Sequence, residues 1–405
     1  MNLETNLANS RSSSHSRAWL LILGIILLAS TLRAPLTAVG PLIGFIRDDT
    51  GISNTFAGLL TTFPLLAFAF FSPLAPKLAR RFGTEYTLFA SLIVMSLGIV
   101  LRSLRSLETL LVGTALIGIA IAFGNVLLPS LIKRDFPERV GLMTGIYSIF
   151  MNMWAAVASG ISIPLAQKLG FGWRGSLICW SVLSIVSLVA WLPQLRVCQR
   201  PSTYQGVQTP NNNLWHSRLA WQVSIFMGLQ SLTFYVMIAW LPEILHQQGI
   251  NHSLAGWMLS LMQFVSLPTT LIIPVLAGRC SNQRRLVGFG AVILLTGYIG
   301  LLSRNTLLAP LWIVLIGIAV GTNFSLALIF FVLRTQNAND AAELSGMAQS
   351  IGYFLAAVGP PLLGFVHDMT QSWTAPLCIL VVIAILLFIF GLAAGSKGYV
   401  TSKNN

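Results

Sequence analysis

The apolar residues of this chain fall into blocks of about 20, separated by short charged or turn-rich stretches, and that length lets a helix cross the hydrocarbon core of a bilayer. No water is present there to satisfy backbone N–H and C=O groups, so each block must close its hydrogen bonds internally, as a helix does. Twelve such helices are expected, near residues 18–46, 55–76, 86–101, 108–132, 141–167, 174–195, 219–241, 254–278, 286–303, 308–333, 346–366 and 374–395. Only 9% of the side chains are charged, against about 25% in an ordinary soluble domain, which excludes a soluble globule. The first block is much longer than the core of a secretory leader and no small-residue cleavage site follows it, so it is expected to be retained.

The charge balance is strongly positive, with 24 Lys and Arg against 11 Asp and Glu. In a multi-pass membrane protein such an excess marks the cytoplasmic loops and is no sign of nucleic-acid binding. With both termini cytoplasmic, the inner segments collect Arg11, Arg17, Lys77, Arg80, Arg81, Lys133, Arg134, Arg139, Arg196, Arg200, Arg218, Arg279, Arg284, Arg285, Arg334, Lys397 and Lys403. The outer segments hold only Arg47, Arg102, Arg105, Lys168, Arg174 and Arg304, which leaves Arg33 inside a span. The four cysteines (Cys179, Cys198, Cys280 and Cys378) are far apart, so neither a disulfide framework nor a zinc site is expected. His246 and His252, two histidines expected to be exposed in an outer loop, are not read as metal ligands, and no cofactor is called for.

One connection is long and polar. Residues 196–218, with Gln208-Thr-Pro-Asn-Asn-Asn213, have the composition of a flexible linker. They divide the chain into a tail (1–17), a six-helix unit (18–195), the linker, a second six-helix unit (219–395) and a second tail (396–405). The units are related at an offset of about 200 residues: Ala18-Trp19 matches Ala220-Trp221, Gly118-Ile-Ala-Ile121 matches Gly317-Ile-Ala-Val320, and Gly145 with Ala155-Ala156 matches Gly346 with Ala356-Ala357. The expected fold is an all-α membrane protein, twelve transmembrane helices in two pseudo-symmetric six-helix bundles. Parallel repeats of this kind build secondary transporters whose substrate sits between the halves near the midplane. A duplicated scaffold or sensor is the alternative.

An arginine near the centre of a span costs about 2.5–3.5 kcal/mol on the insertion scale and calls for compensation. No Asp or Glu falls in the central part of any expected span, so Arg33 has no evident counter-ion. A permanently charged planar fork facing a wet cavity suits an anion or an electron-rich polar group, while bonding to carbonyls and amides is the structural alternative. The Ala-Trp alignment sets Tyr235 at the position equivalent to Arg33. Other polar residues within spans extend the candidate substrate-binding set to Asn125, Tyr147, Asn152, Gln230, Gln263, Asn323, Gln349 and Tyr353, each of which is otherwise read as packing glue between helices. The histidines also lie outside the expected membrane core. Coupling through a protein-borne proton is therefore disfavoured, leaving facilitated diffusion, exchange, or a proton carried with the substrate. Ser159-Gly160-Ile-Ser-Ile-Pro164 and Gly359-Pro360-Pro361-Leu-Leu-Gly364 are expected to be places where helices kink or rock.

Between spans two and three, Ser72-Pro-Leu-Ala-Pro-Lys-Leu-Ala-Arg-Arg-Phe-Gly83 resembles a degenerate copy of the G-x-L-A-D-R-x-G-R-R signature of the major facilitator superfamily, with Leu78, Arg81 and Gly83 matching and Arg80 replacing the acid. In that superfamily the acid helps latch the cytoplasmic ends of the halves. Lys77, Arg80, Arg81 and Arg134 are candidate gating charges, or positive-inside retention alone. Thr31-Leu-Arg33-Ala-Pro, Gly58-Leu-Leu-Thr-Thr-Phe-Pro-Leu-Leu-Ala-Phe68, Gly124-Asn125-Val-Leu-Leu-Pro-Ser-Leu-Ile-Lys-Arg134-Asp-Phe-Pro137, Leu219-Ala-Trp-Gln-Val and Leu344-Ser-Gly-Met-Ala-Gln349-Ser-Ile-Gly-Tyr353 together resemble the bacterial cyanate transporter family, including its 2-nitroimidazole transporter branch. That resemblance implies an inner-membrane transporter of a small polar or anionic solute. An efflux transporter of the same superfamily and a transporter-derived receptor are the alternatives. A monomer is expected, with the bilayer and the solute as partners. An enzyme is not, since no H-E-x-x-H, G-x-S-x-G or intramembrane acidic pair is present.

Overall fold

The structure, a computed structural model, describes residues 19–51, 54–195 and 214–400. The tail 1–17, linker residues 196–213 and the last five residues lie outside the described set. Among the described residues every regular element is helical. Eleven of the described helices are long and apolar enough to cross a membrane, and a bent pair counted as one span brings the number to 12.

In chain order the spans are Trp19–Leu42 (span one), the bent pair Thr62–Phe71 and Leu74–Phe82 (two), Thr84–Arg102 (three), Leu107–Asp135 (four), Pro137–Gln167 (five) and Gly172–Leu195 (six). The second set is Arg218–Gln247 (seven), Leu254–Arg279 (eight), Arg284–Leu302 (nine), Ala309–Leu333 (ten), Ala338–Thr370 (eleven) and Thr374–Ala394 (twelve). Several starts are set by side-chain caps on the first free N–H groups. Ser106 accepts from Thr109 N at 3.1 Å, Asn251 from Leu254 N at 2.8 Å and Asn337 from Asp340 N at 2.8 Å.

Three spans depart from the sequence reading. Span one is broken: the helix over 19–31 ends just before Arg33, which has φ −122° and ψ −32°, and the chain continues as the short helix Ala34–Thr37 and a 3-10 turn at Gly40–Leu42. Pro35 lacks the N–H that would continue the ladder, and Thr31 and Ser30 back-bond to Leu28 and Ile26 carbonyls immediately before the break. Arg33 therefore stands at an interruption, where irregular backbone is tolerated because it is buried in protein or lines a cavity. Span two turns by 54° after Phe71 into the helix Leu74–Phe82, so Lys77, Arg80 and Arg81 are helical and not in a loop. Gly83, at φ +92°, makes the hinge into span three, a conformation that a Cβ would strain. Span eleven starts at Ala338, because the Asn337 cap opens a helix through the acidic residues Asp340 and Glu343. The Gly160–Pro164 and Gly359–Gly364 stretches stay within the continuous helices Val140–Gln167 and Ala338–Thr370.

Within each set of six, helices pack closely, spans three with four and eight with ten among them. Between the sets, span five lies on span eight and span eleven on spans two and four. A Cβ added at Gly141 would come within 2.5 Å of the Pro274 carbonyl, and one at Gly145 within 2.7 Å of the Leu271 carbonyl. Only glycine permits spans five and eight to approach this closely. One end of the bundle, the basic end, carries Lys77, Arg80, Lys133, Arg134, Arg279 and Arg334.

Candidate substrate site between the two helix sets

The break in span one presents the half-buried Arg33 to groups from both sets of helices. From span five, Asn152 Oδ1 accepts from Arg33 Nη1 at 2.6 Å, and the Asn152 amide nitrogen is fixed in turn on the Ser148 carbonyl at 2.9 Å. From the second set, Phe234 of span seven and Phe324 of span ten lie 5.2 and 4.4 Å from the guanidinium carbon. The phenols of Tyr147, Tyr235 and Tyr353 are all within electrostatic reach of the same charge. Among the described residues no carboxylate forms an ion pair with Arg33. The result is a cation held by one amide and walled by aromatic faces, which satisfies only part of its five-donor fork.

Around this centre, Asn125 Nδ2 of span four reaches Tyr353 Oη of span eleven at 3.5 Å, bridging the two sets. Tyr353 stacks edge-on against Phe68 at 4.7 Å. Tyr147 is buried with a hydroxyl that lacks a well-formed hydrogen bond. Arg33, Asn125, Tyr147, Asn152, Tyr235 and Tyr353 thus gather at one level. The aromatic walls Phe234 and Phe324 escape a reading of the sequence, because a phenylalanine in an apolar run carries no mark of its role.

Four other expected site residues are not brought to Arg33. Asn323 turns away into the second set. A Cβ on Gly290 of span nine would come within 2.6 Å of its Oδ1, and both amide atoms are buried without partners. Gln230 folds back along span seven, donating to Ser231 Oγ at 2.7 Å and Met227 Sδ at 3.2 Å. Gln349 is fully buried and donates to Ser345 Oγ one turn back at 2.9 Å, with Oε1 unpartnered. Gln263 is half-buried on span eight without a side-chain hydrogen bond. Gln230 and Gln349 thus bond within their own helices and Asn323 packs against span nine, the packing role an intramembrane amide usually has.

At the basic end the two sets are tied together. Arg80 forms an ion pair with Glu343 of span eleven. Lys133 Nζ donates to the Val332 and Thr335 carbonyls at the end of span ten, 2.6 Å each. Ser130 Oγ donates to the Ala338 carbonyl at 2.7 Å, and Ser350 Oγ to the Ala69 carbonyl at 2.5 Å. The signature segment thus joins the two sets by an ion pair, with the cation on the first and the acid on the second. Arg134 acts within its own set, pairing with the buried Glu85 at 2.5 Å and with Asp135. Lys77 is exposed and makes no such tie, and Arg81 lies over the Phe82 ring at 5.2 Å.

Two further cations read as loop residues are buried. Arg334 donates from Nε to the Ala394 carbonyl at 2.8 Å and also bonds Gln283, while its own carbonyl receives Val400 N at 2.9 Å. Burial pushes its guanidinium down to about 10. Arg102 is the other, fully buried at the end of span three. At the opposite end of the bundle Asp49 accepts from Trp173 Nε1 at 3.0 Å and Arg174 Nη1 at 2.7 Å. The Trp173 hydrogen bond, helped by Arg174, holds this carboxyl below its usual range.

Known proteins share much of this sequence and its fold. A profile described as Major Facilitator Superfamily matches residues 19–357 and, separately, 223–404. The chain is 44% identical over 386 residues to a 2-nitroimidazole transporter of Escherichia coli, covering 95% of this chain and 98% of that protein. It is 26% identical over 354 residues to a cyanate transport protein of the same organism, covering 87% and 91%. Among solved structures, a proton:xylose symporter superposes with a TM-score of 0.76 at 13% identity, covering 95% of this chain and 98% of that one, a likeness of fold alone.

Proposed function

The chain belongs to the Major Facilitator Superfamily, and from that membership we propose that it carries flat nitro-heteroaromatic solutes of the 2-nitroimidazole kind, with Arg33 as the anchor. At the coarser level it is a multi-pass membrane transporter of small solutes and not an enzyme. The observation that supports the finer reading is the guanidinium without a carboxylate, partly free to donate and walled by Phe234, Phe324, Tyr235 and Tyr353. Two parallel N–H groups of a guanidinium match the two oxygens of a nitro group, as they match a carboxylate. The aromatic faces suit a flat ring, which cyanate lacks. Cyanate or a comparable small anion would use the charge and leave the walls unused.

Transport proceeds by alternating access between the sets. The basic end is the cytoplasmic end, because excess Lys and Arg is retained there, and both termini are cytoplasmic in a bacterial inner membrane. The ties among Arg80, Glu343, Lys133, Ser130 and Ser350 close that side. Site residues come from both sets of one chain, so a monomer suffices. With Asn152 rather than an acid beside Arg33, any proton coupling is carried by the solute and not by a side chain at the anchor.

The test is flux in proteoliposomes of the purified protein, using labelled 2-nitroimidazole and labelled cyanate with and without an imposed pH gradient. Saturable movement of the nitroimidazole is expected, with cyanate a weak competitor. Binding without flux would indicate a receptor, and flux of cyanate alone would overturn the heteroaromatic assignment.

A further inference from the structure

Arg102 has the features of an outer-loop cation in the sequence, at a span end and close to Arg105. In the structure it is 0% exposed, among the largest fully buried side chains. Its Nη1 donates to the Pro35 carbonyl at 2.7 Å, and its Nε and Nη2 are buried without partners. A buried guanidinium with no counter-ion is costly, and a site that retains one calls for an account of what it holds.

What it holds is the break beside Arg33. After the interruption Val39 N bonds the Leu36 carbonyl at 3.2 Å instead of reaching Pro35, so the helix leaves the Pro35 carbonyl without a backbone donor. In a membrane interior such a freed carbonyl needs another partner, and Arg102 supplies it from span three. The opposite side of the same segment is held by span five: Asn152 on Arg33, Thr37 Oγ1 on the Ala155 carbonyl at 3.0 Å, and Ser159 Oγ on the Thr37 carbonyl at 3.2 Å. The end of span three is itself wedged in place, since a Cβ on Gly113 of span four would meet Arg102 N at 2.4 Å. The broken segment is therefore clamped between a rigid crossing of spans three and four and the face of span five.

We propose that Arg102 is a positioning residue for Arg33: by satisfying the Pro35 carbonyl it stabilises the broken form of span one and so fixes the backbone that aims the anchoring guanidinium. The proposal rests on Arg33 being the substrate anchor. Without Arg102, the segment from 33 to 38 loses the hydrogen bond that ties it to span three, and the Arg33 side chain samples more orientations. Substrate affinity falls while the number of competent transporters changes little.

Arg102→Gln and Arg102→Lys, full-length in lipid nanodiscs and proteoliposomes, test this against Arg33→Gln. Hydrogen exchange of the backbone amides at 36–39 reads the clamp without any substrate. It is expected to quicken about ten-fold in Arg102→Gln, whose neutral and shorter amide falls short of the Pro35 carbonyl, and less in Arg102→Lys, which keeps a charged donor on a longer stem. KM for 2-nitroimidazole is expected to rise about ten-fold in Arg102→Gln with maximal rate per folded molecule near wild type, the lysine variant again intermediate. Wild-type exchange and wild-type KM in the folded fraction of Arg102→Gln would overturn the proposal and leave Arg102 a packing residue. If that variant does not accumulate, solid-state NMR of the wild-type protein decides: absence of a through-space contact between the Arg102 guanidinium carbon and the Pro35 carbonyl carbon overturns it. Normal transport in Arg33→Gln would instead defeat the anchor assignment, whatever the exchange result.

Discussion

Removing Lys133 should open the basic end more than removing the ion pair beside it. Its ammonium is half-buried and donates to two carbonyls that the end of span ten leaves without helical partners, those of Val332 and Thr335. Hydrogen bonds to a charged group contribute about 1.5–3 kcal/mol, and a cation at a helix C-terminus adds about 0.3–1 kcal/mol. Taking the low end because the amine is partly solvated gives about 2 kcal/mol in favour of the closed arrangement. The Arg80–Glu343 pair has side chains 35% and 20% exposed, and solvent screening limits it to about 1 kcal/mol or less. Lys133→Met should therefore lower the ratio of closed to open molecules by about 30-fold, and Arg80→Gln by about five-fold or less. Spin labels at the exposed positions Arg139 and Arg285, one on each set, read the separation by pulsed electron paramagnetic resonance. A second, longer distance should grow in Lys133→Met and remain minor in Arg80→Gln. An unchanged distribution in Lys133→Met, or the opposite ranking, would refute the assignment of Lys133 as the principal tie.

Three further outcomes follow from named contacts. Phe324→Leu removes the ring 4.4 Å from the Arg33 guanidinium and should weaken 2-nitroimidazole binding by about five-fold, measured in nanodiscs, with protein yield unchanged. Asn323→Ala removes two unpartnered buried amide atoms that face Gly290, so thermal stability in detergent should hold or rise and KM should stay at wild type. Asp49 has a folded pKa below its ordinary value, so its contribution is present above the unfolded value near ~3.9 and is lost as pH falls through the folded one. Pepsin cleavage within Ile43–Thr50, normalised at each pH to cleavage of an unstructured peptide of the same sequence, should accordingly rise as pH falls below about 4 in wild type, and the rise should be smaller in Asp49→Asn.

Much of this architecture was legible because a membrane helix must be long and apolar, and its boundaries must carry charges or turns. Side-chain facing was less so. Span ten is apolar on all sides, so no amphipathic stripe tells Asn323 from a cavity residue, and its turn toward Gly290 emerges only in three dimensions. Asp340 and Glu343 interrupt the apolar pattern and read as loop, yet the Asn337 cap carries the helix through them and delivers Glu343 to Arg80. Arg102 sits at a span end beside Arg105, and composition cannot reveal that one is buried against Pro35. Arg33 and Asn152 were readable because a charge and an amide are rare in such runs, whereas Phe234 and Phe324 look like any other core residue.

The central claim is that Arg33 grips the solute. Equilibrium binding of 2-nitroimidazole to Arg33→Gln in nanodiscs, beside the wild-type protein and with folding checked by melting temperature, tests it most directly. Loss of a charge-assisted hydrogen bond should weaken binding by at least about ten-fold at unchanged folding. Wild-type affinity in that variant would contradict the account.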